Sequence, residues 1–225
     1  MEQKKINPHD ILIATAGVFL VISFMAFGGD ARPTSTAPRT ETLRAVVLPL
    51  SGRELPIAWN DLGLRMVEAG VIDMEKFEAL YAAREGMGAD TALLLNDDYR
   101  KPVVIREENA AELLNLLWAF GLSNANDILE KGPMADPRYG GAGGFASTGG
   151  WTLTRGHVMS HYGAHPFVTL SREEQEMVER VSKNIYRPCC NNSTYFPDCN
   201  HGMAMLGLLT LMAANGVSEG EMYDI

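Results

Sequence analysis

Residues 109–120 read NAAELLNLLWAF, and this stretch decides the fold class. Leu113, Leu114, Leu116, Leu117, Trp118 and Phe120 recur at helical spacing and make it a core helix, with Gly121 as its expected stop. Towards the N-terminus, residues 102–105 form a short extended piece, and residues 91–95 suit either a short helix or a strand. Asp73 caps a helix through MEKFEALYAARE, with Phe77, Leu80 and Tyr81 on one face. Asn60 or Asp61 caps another that runs to Glu68 and ends at Gly70. Residues 44–50, RAVVLPL, read as a strand that Pro49 demotes to an edge or to an extended entry segment.

Towards the C-terminus, residues 134–150 (MADPRYGGAGGFASTGG) form a glycine-rich loop long enough to fold over a site. Gly141, Gly143 and Ala146 fit a loose dinucleotide fingerprint, but no strand precedes them, so no such cofactor is assigned. Three helical stretches follow: 155–163, 172–185 and 200–214. Ser171 and Glu174 form a capping box for the second, and Gly216 closes the third. The predicted fold is mainly α: a single compact helical domain with minor short strands over residues 43–225.

Composition agrees with a globular domain, at 46% hydrophobic and 21% charged residues. A net charge of -9, with no run of Lys and Arg after Lys5, argues against a nucleic-acid partner.

The N-terminus reads differently. Residues 11–27, ILIATAGVFLVISFMAF, carry no charge, and Gly28 and Gly29 extend the run. As a helix it spans about 30 Å, the thickness of a hydrocarbon core. Lys4 and Lys5 precede it, which orients residues 1–10 to the cytoplasm and exports the rest. The run exceeds a usual signal-peptide core, so residues 11–29 are read as a transmembrane signal anchor, with cleavage near Gly29–Ala31 the alternative. Residues 30–42, DARPTSTAPRTET, are a linker. The expected place is the cell membrane, single-pass, with the C-terminal domain outside the cytoplasm.

Chemistry concentrates late in the chain. His157, His161, His165 and His201, with Cys189, Cys190 and Cys199, fall within residues 157–201. If residues 155–163 are helical, His157 and His161 share a face and can chelate one metal ion. Residues 187–202 read RPCCNNSTYFPDCNHG. Adjacent side chains diverge, so one of Cys189 and Cys190 is expected to join Cys199 and one or two histidines such as His201 in a four-coordinate site. Zinc is the first choice. Copper is the alternative if Met203, Met205 and Met212 take part, although core packing also explains these methionines. Cys199 precedes the last core helix, where exposed N–H groups favour a thiolate, so it is also the candidate catalytic residue of a thiol enzyme, an oxidoreductase or a Cys–His nucleophile. A third reading is a non-catalytic envelope or interaction domain with a structural disulfide between Cys199 and Cys189 or Cys190.

Residues 185–207, IYRPCCNNSTYFPDCNHGMAMLG, resemble a block in an uncharacterised family of bacterial membrane-anchored proteins. The shared features are the cysteine pair, the PDCNHG turn and the Met-bearing helix, and the likeness extends back through FASTGGWTL (145–153). The resemblance implies a bacterial source and treats residues 145–216 as a unit. It transfers no reaction.

Overall fold

The computed structural model describes residues 45–225. The expectations for residues 1–10, 11–29 and 30–42 lie outside the described residues. Among the described residues no helix is long and apolar enough to cross a membrane.

Two helices carry the core of the unit formed by residues 48–225. The predicted core helix is α4, Ala110–Ser123; its earlier counterparts are α1 (Leu62–Ala69), α2 (Met74–Tyr81) and α3 (Ala89–Asn96). After it come α5 (Asp127–Lys131), α6 (Ala146–Gly149), α7 (Arg172–Asn184), α8 (Asn200–Ala214) and α9 (Glu219–Asp224). Leu113, Leu116, Leu117 and Phe120 of α4 are buried against α8. Helix α8 is apolar almost all round, with Met203, Leu206, Leu209, Leu211 and Met212 nearly inaccessible, as expected for a helix enclosed by its neighbours. Each such side chain contributes on the order of 1.5–3 kcal/mol by leaving water. Met203 and Met212 are therefore core residues, while Met205 is half-buried.

Gly121 does not end α4, which continues to Ser123. A Cβ at Gly121 would run into the Met203 carbonyl and lie 2.9 Å from the Gly207 nitrogen. One at Gly207 would lie 2.5 Å from the Leu117 carbonyl oxygen. The two glycines let the backbones of α4 and α8 touch, so Gly121 serves interhelical packing rather than termination.

The local signals elsewhere hold in part: Asp61 is the N-cap residue of α1 but its side chain makes no capping hydrogen bond, and α2 stops at Tyr81, short of the expected Glu85. Gly70 ends α1 in the left-handed conformation at φ 82°, and the Asp73 carboxylate accepts from the Lys76 N–H at 3.4 Å. On α2, Phe77 and Tyr81 are buried, but Leu80 is exposed. The stretch that suited either class is helical, as α3. Ser171 and Glu174 form both halves of the predicted box at the start of α7. The strands are shifted. Residues 45–47 are helical, and the strand is β1, Arg53–Leu55, which pairs antiparallel with β2, Val103–Ile105, in the register Leu55 to Val103.

The glycine-rich segment is a succession of 3-10 turns (Pro133–Ala135, Pro137–Tyr139, Ala142–Gly144) leading into α6. It packs on the turn before α8. The Ser147 N–H donates to the Asp198 carbonyl at 3.0 Å, and Tyr139 and Phe145 form a ring cluster with Phe196.

Candidate metal centre

Chain geometry brings the three cysteines together. After α7 the chain doubles back between Arg187 and Asn192. The N–H groups of Cys190 and Asn191 both donate to the Arg187 carbonyl, at 3.3 and 2.8 Å, and the Arg187 N–H donates to the Asn192 carbonyl at 3.1 Å. Asn191 closes the turn at φ 57°, a left-handed conformation that asparagine tolerates better than most residues. The turn carries Cys189 and Cys190 on its exposed side. Cys199 is the N-cap residue of α8, with an extended backbone.

All three are free thiols, and their sulfurs lie within 4.8 Å of one another. The Cys189 and Cys190 sulfurs are 3.7 Å apart. With Zn–S bonds of about 2.3 Å, adjacent sulfurs of a tetrahedron stand about 3.8 Å apart. The adjacent pair is thus already at ligand spacing. The expectation that only one of the two faces the site is corrected, because the tight turn overrides the usual divergence of neighbouring side chains.

Arg187 holds the arrangement in place and is 4% exposed. Its Nε donates to the Asn192 carbonyl at 3.2 Å, and its Nη2 to the carbonyls of Ser193 at 3.0 Å and Phe196 at 2.6 Å. Its Nη1 donates to the Cys199 sulfur at 2.8 Å and lies 2.9 Å from Asp198 Oδ1. Asp198 Oδ2 in turn accepts from the Asn192 amide at 2.7 Å. One buried cation thereby ties the cysteine turn to the start of α8 and sets a fixed positive charge against a sulfur cluster that becomes anionic when it binds metal. Burial works against the guanidinium's charge, but Asp198 and Cys199 outweigh it and keep Arg187 above its ordinary range. Gly202 makes the room, since a Cβ there would overlap the guanidinium.

The two turn thiols differ. Partial desolvation, then the hydrogen bond it donates to Cys190, push the Cys189 thiol above its ordinary value. The Asn192 N–H, followed by that bond from Cys189, pulls Cys190 below it. Cys190 is the thiol that deprotonates first of the pair, and thiolates are the metal-binding form.

The group of ligand atoms within 4.8 Å of one another is the three sulfurs, without a histidine nitrogen among them. Residues 155–163 are not a helix: only Val158–Ser160 makes a 3-10 turn, between Gly156 (φ 76°) and Gly163 (φ 59°). The shared face expected for His157 and His161 does not form. His157 is exposed and accepts from the Met159 N–H at 3.2 Å. His161 is buried and turned to His165 instead, with Nδ1 3.0 Å from His165 Nε2 and Nε2 3.1 Å from the Arg155 carbonyl oxygen. A carbonyl only accepts, so His161 carries its proton on Nε2 and its Nδ1 accepts from His165. His201 is exposed on the first turn of α8.

The histidine pair has its own consequence. Burial, then the charge of His161, lower the pKa of His165 below its ordinary 6.5. A histidine depressed in the folded state contributes stability that is full above 6.5 and is lost as pH falls below it. Unfolding followed between pH 8 and 5 is expected to show stability falling below pH 6.5, with a shallower fall in His165→Gln. An equal fall in both proteins would place the titrating group elsewhere.

Sequence reasoning missed Arg187, Asn192, Asp198 and Gly202. Their signal is weak: an arginine beside Pro188-Cys189-Cys190 and a glycine in the first turn of a core helix. Compared with protein-family models, curated proteins and solved structures, the chain matches none.

Proposed function

We propose that this chain is a membrane-anchored, extracytoplasmic metal-binding domain in which Cys189, Cys190 and Cys199 together hold one thiophilic ion. The observation that carries the reading is the convergence of three sulfurs within 4.8 Å from two separate segments, joined by a buried arginine. Zinc is the first choice because the 3.7 Å pair matches its tetrahedral edge. Monovalent copper is the alternative, as a soft ion suited to thiolates. Three protein sulfurs leave one tetrahedral position free, the pattern of sites that act on or exchange a ligand rather than of closed structural sites. The anchor at residues 11–29 and the bacterial envelope setting rest on the apolar run, the lysines before it and the resemblance of residues 185–207.

The reduced full chain, purified in detergent without chelator, is expected to bind one zinc or copper per chain. Cys190→Ser and Cys199→Ser should each lose most of that metal, while His157→Ala and His161→Ala keep it. Retention of metal in both cysteine variants would defeat the proposal.

A second reading, thiol chemistry, is favoured by the exposed adjacent pair of unequal acidity. It centres on Cys190 and Cys189 rather than on Cys199, whose sulfur is engaged by Arg187. No metal in any preparation, together with rapid alkylation of Cys190 below pH 8, would move the assignment to it.

A further inference from the structure

A groove of about 480 Å³ opens beside the cysteine cluster. Leu113 and Leu114 of α4 form one wall; Met205 and Leu208 of α8 form the other. Its polar side chains are Tyr186, Arg187 and Cys189 of the cysteine turn, with Cys189 a member of the cluster, and His201 at the start of α8. His201, Met205 and Leu208 lie on one face of α8, so the trough runs along the helix for about 10 Å, the length of roughly eight methylenes. It is therefore polar at the cluster and apolar beyond.

Size selects the occupant. The volume falls in the range of about 300–1,000 Å³ typical of small-molecule sites. The apolar wall is far smaller than the ~800 Å² per partner that a stable protein interface buries. Three protein sulfurs leave the ion one free position, and Cys189 belongs both to the ion's ligand set and to the groove.

We propose that the groove binds the chain of an unbranched aliphatic molecule whose single soft donor, a thiol, completes the coordination of the metal. This rests on the metal reading above. On binding, the thiol loses its proton to solvent as the sulfur–metal bond forms, and a water on the metal leaves.

The test uses full-length protein loaded with Co²⁺, whose visible absorption reports thiolate coordination, titrated with butanethiol, hexanethiol and octanethiol. Each buried methylene is expected to tighten binding about fourfold. Leu114→Arg, at a half-buried wall position, should keep the cobalt spectrum and abolish the chain-length effect. Equal affinity for the three thiols, or a chain-length effect that survives Leu114→Arg, would overturn the groove assignment while leaving the metal site standing. Absence of the cobalt–thiolate band before any thiol is added would overturn the metal reading and this inference with it.

Discussion

Arg187→Leu is expected to destabilise the domain by about 3–5 kcal/mol, the usual loss when one partner of a buried ion pair is removed. The guanidinium is 4% exposed and serves four acceptors besides Asp198: three carbonyls and the Cys199 sulfur. A leucine fills part of the volume but leaves Asp198 Oδ1, already sequestered from water, with no cation beside it. That loss is a large share of the roughly 5–15 kcal/mol that holds a typical domain together. Arg187→Lys should recover only a fraction, because an ammonium cannot reproduce a planar fork reaching Asn192, Ser193, Phe196 and Cys199 at once. Urea denaturation with linear extrapolation measures both. A wild-type midpoint for Arg187→Leu would mean that the turn holds its shape without the arginine, and the cysteines would then need another organiser.

Gly121→Ala is the second large effect, from a single added methyl group. Its Cβ would overlap the Met203 carbonyl and press on the Gly207 nitrogen, both backbone atoms of α8 that no rotamer change can move. The helices must separate, loosening the packing of Phe120, Leu117 and Leu206, and the expected loss is about 3 kcal/mol, the upper part of the range for overpacked cores. Gly220→Ala is the control. It sits in α9 with open space where a Cβ would go, so helix propensity alone predicts a gain of about 0.5–1 kcal/mol. Matching small effects in the two variants would show that α4 and α8 can part at little cost.

These two positions also show where sequence reading succeeds and fails. The caps at Asp73, Ser171 and Gly70 were legible because each is a short-range event: Asp73 and Lys76, Ser171 and Glu174, and Gly70 at the end of α1 act within one turn of chain. The burial of α4 and α8 was legible from apolar density. Gly121 was not, since its reason is Gly207, far along the chain, and a helix-stopping glycine looks the same as a helix-crossing one. The spacing of His157 and His161 suggested a helical face, but Gly156 and Gly163 adopt positive φ and the segment becomes loop and 3-10 turn. The concentration of cysteines was plain, yet the convergence of Cys189 with Cys190 depends on Asn191 taking a left-handed conformation and on Arg187 receiving two N–H groups at one carbonyl. Neither can be read from residue spacing.

X-ray absorption at the metal edge of the reduced, metal-loaded full chain tests the three-sulfur site most directly. The expected spectrum has three sulfur neighbours at about 2.3 Å and one lighter or exogenous ligand for zinc, and the weakly held ion that Cys190→Ser takes up from excess zinc should show two sulfurs. A first shell dominated by histidine nitrogen, or a loaded protein whose sulfur count does not change in that variant, would contradict the assignment of Cys189, Cys190 and Cys199 as a metal centre.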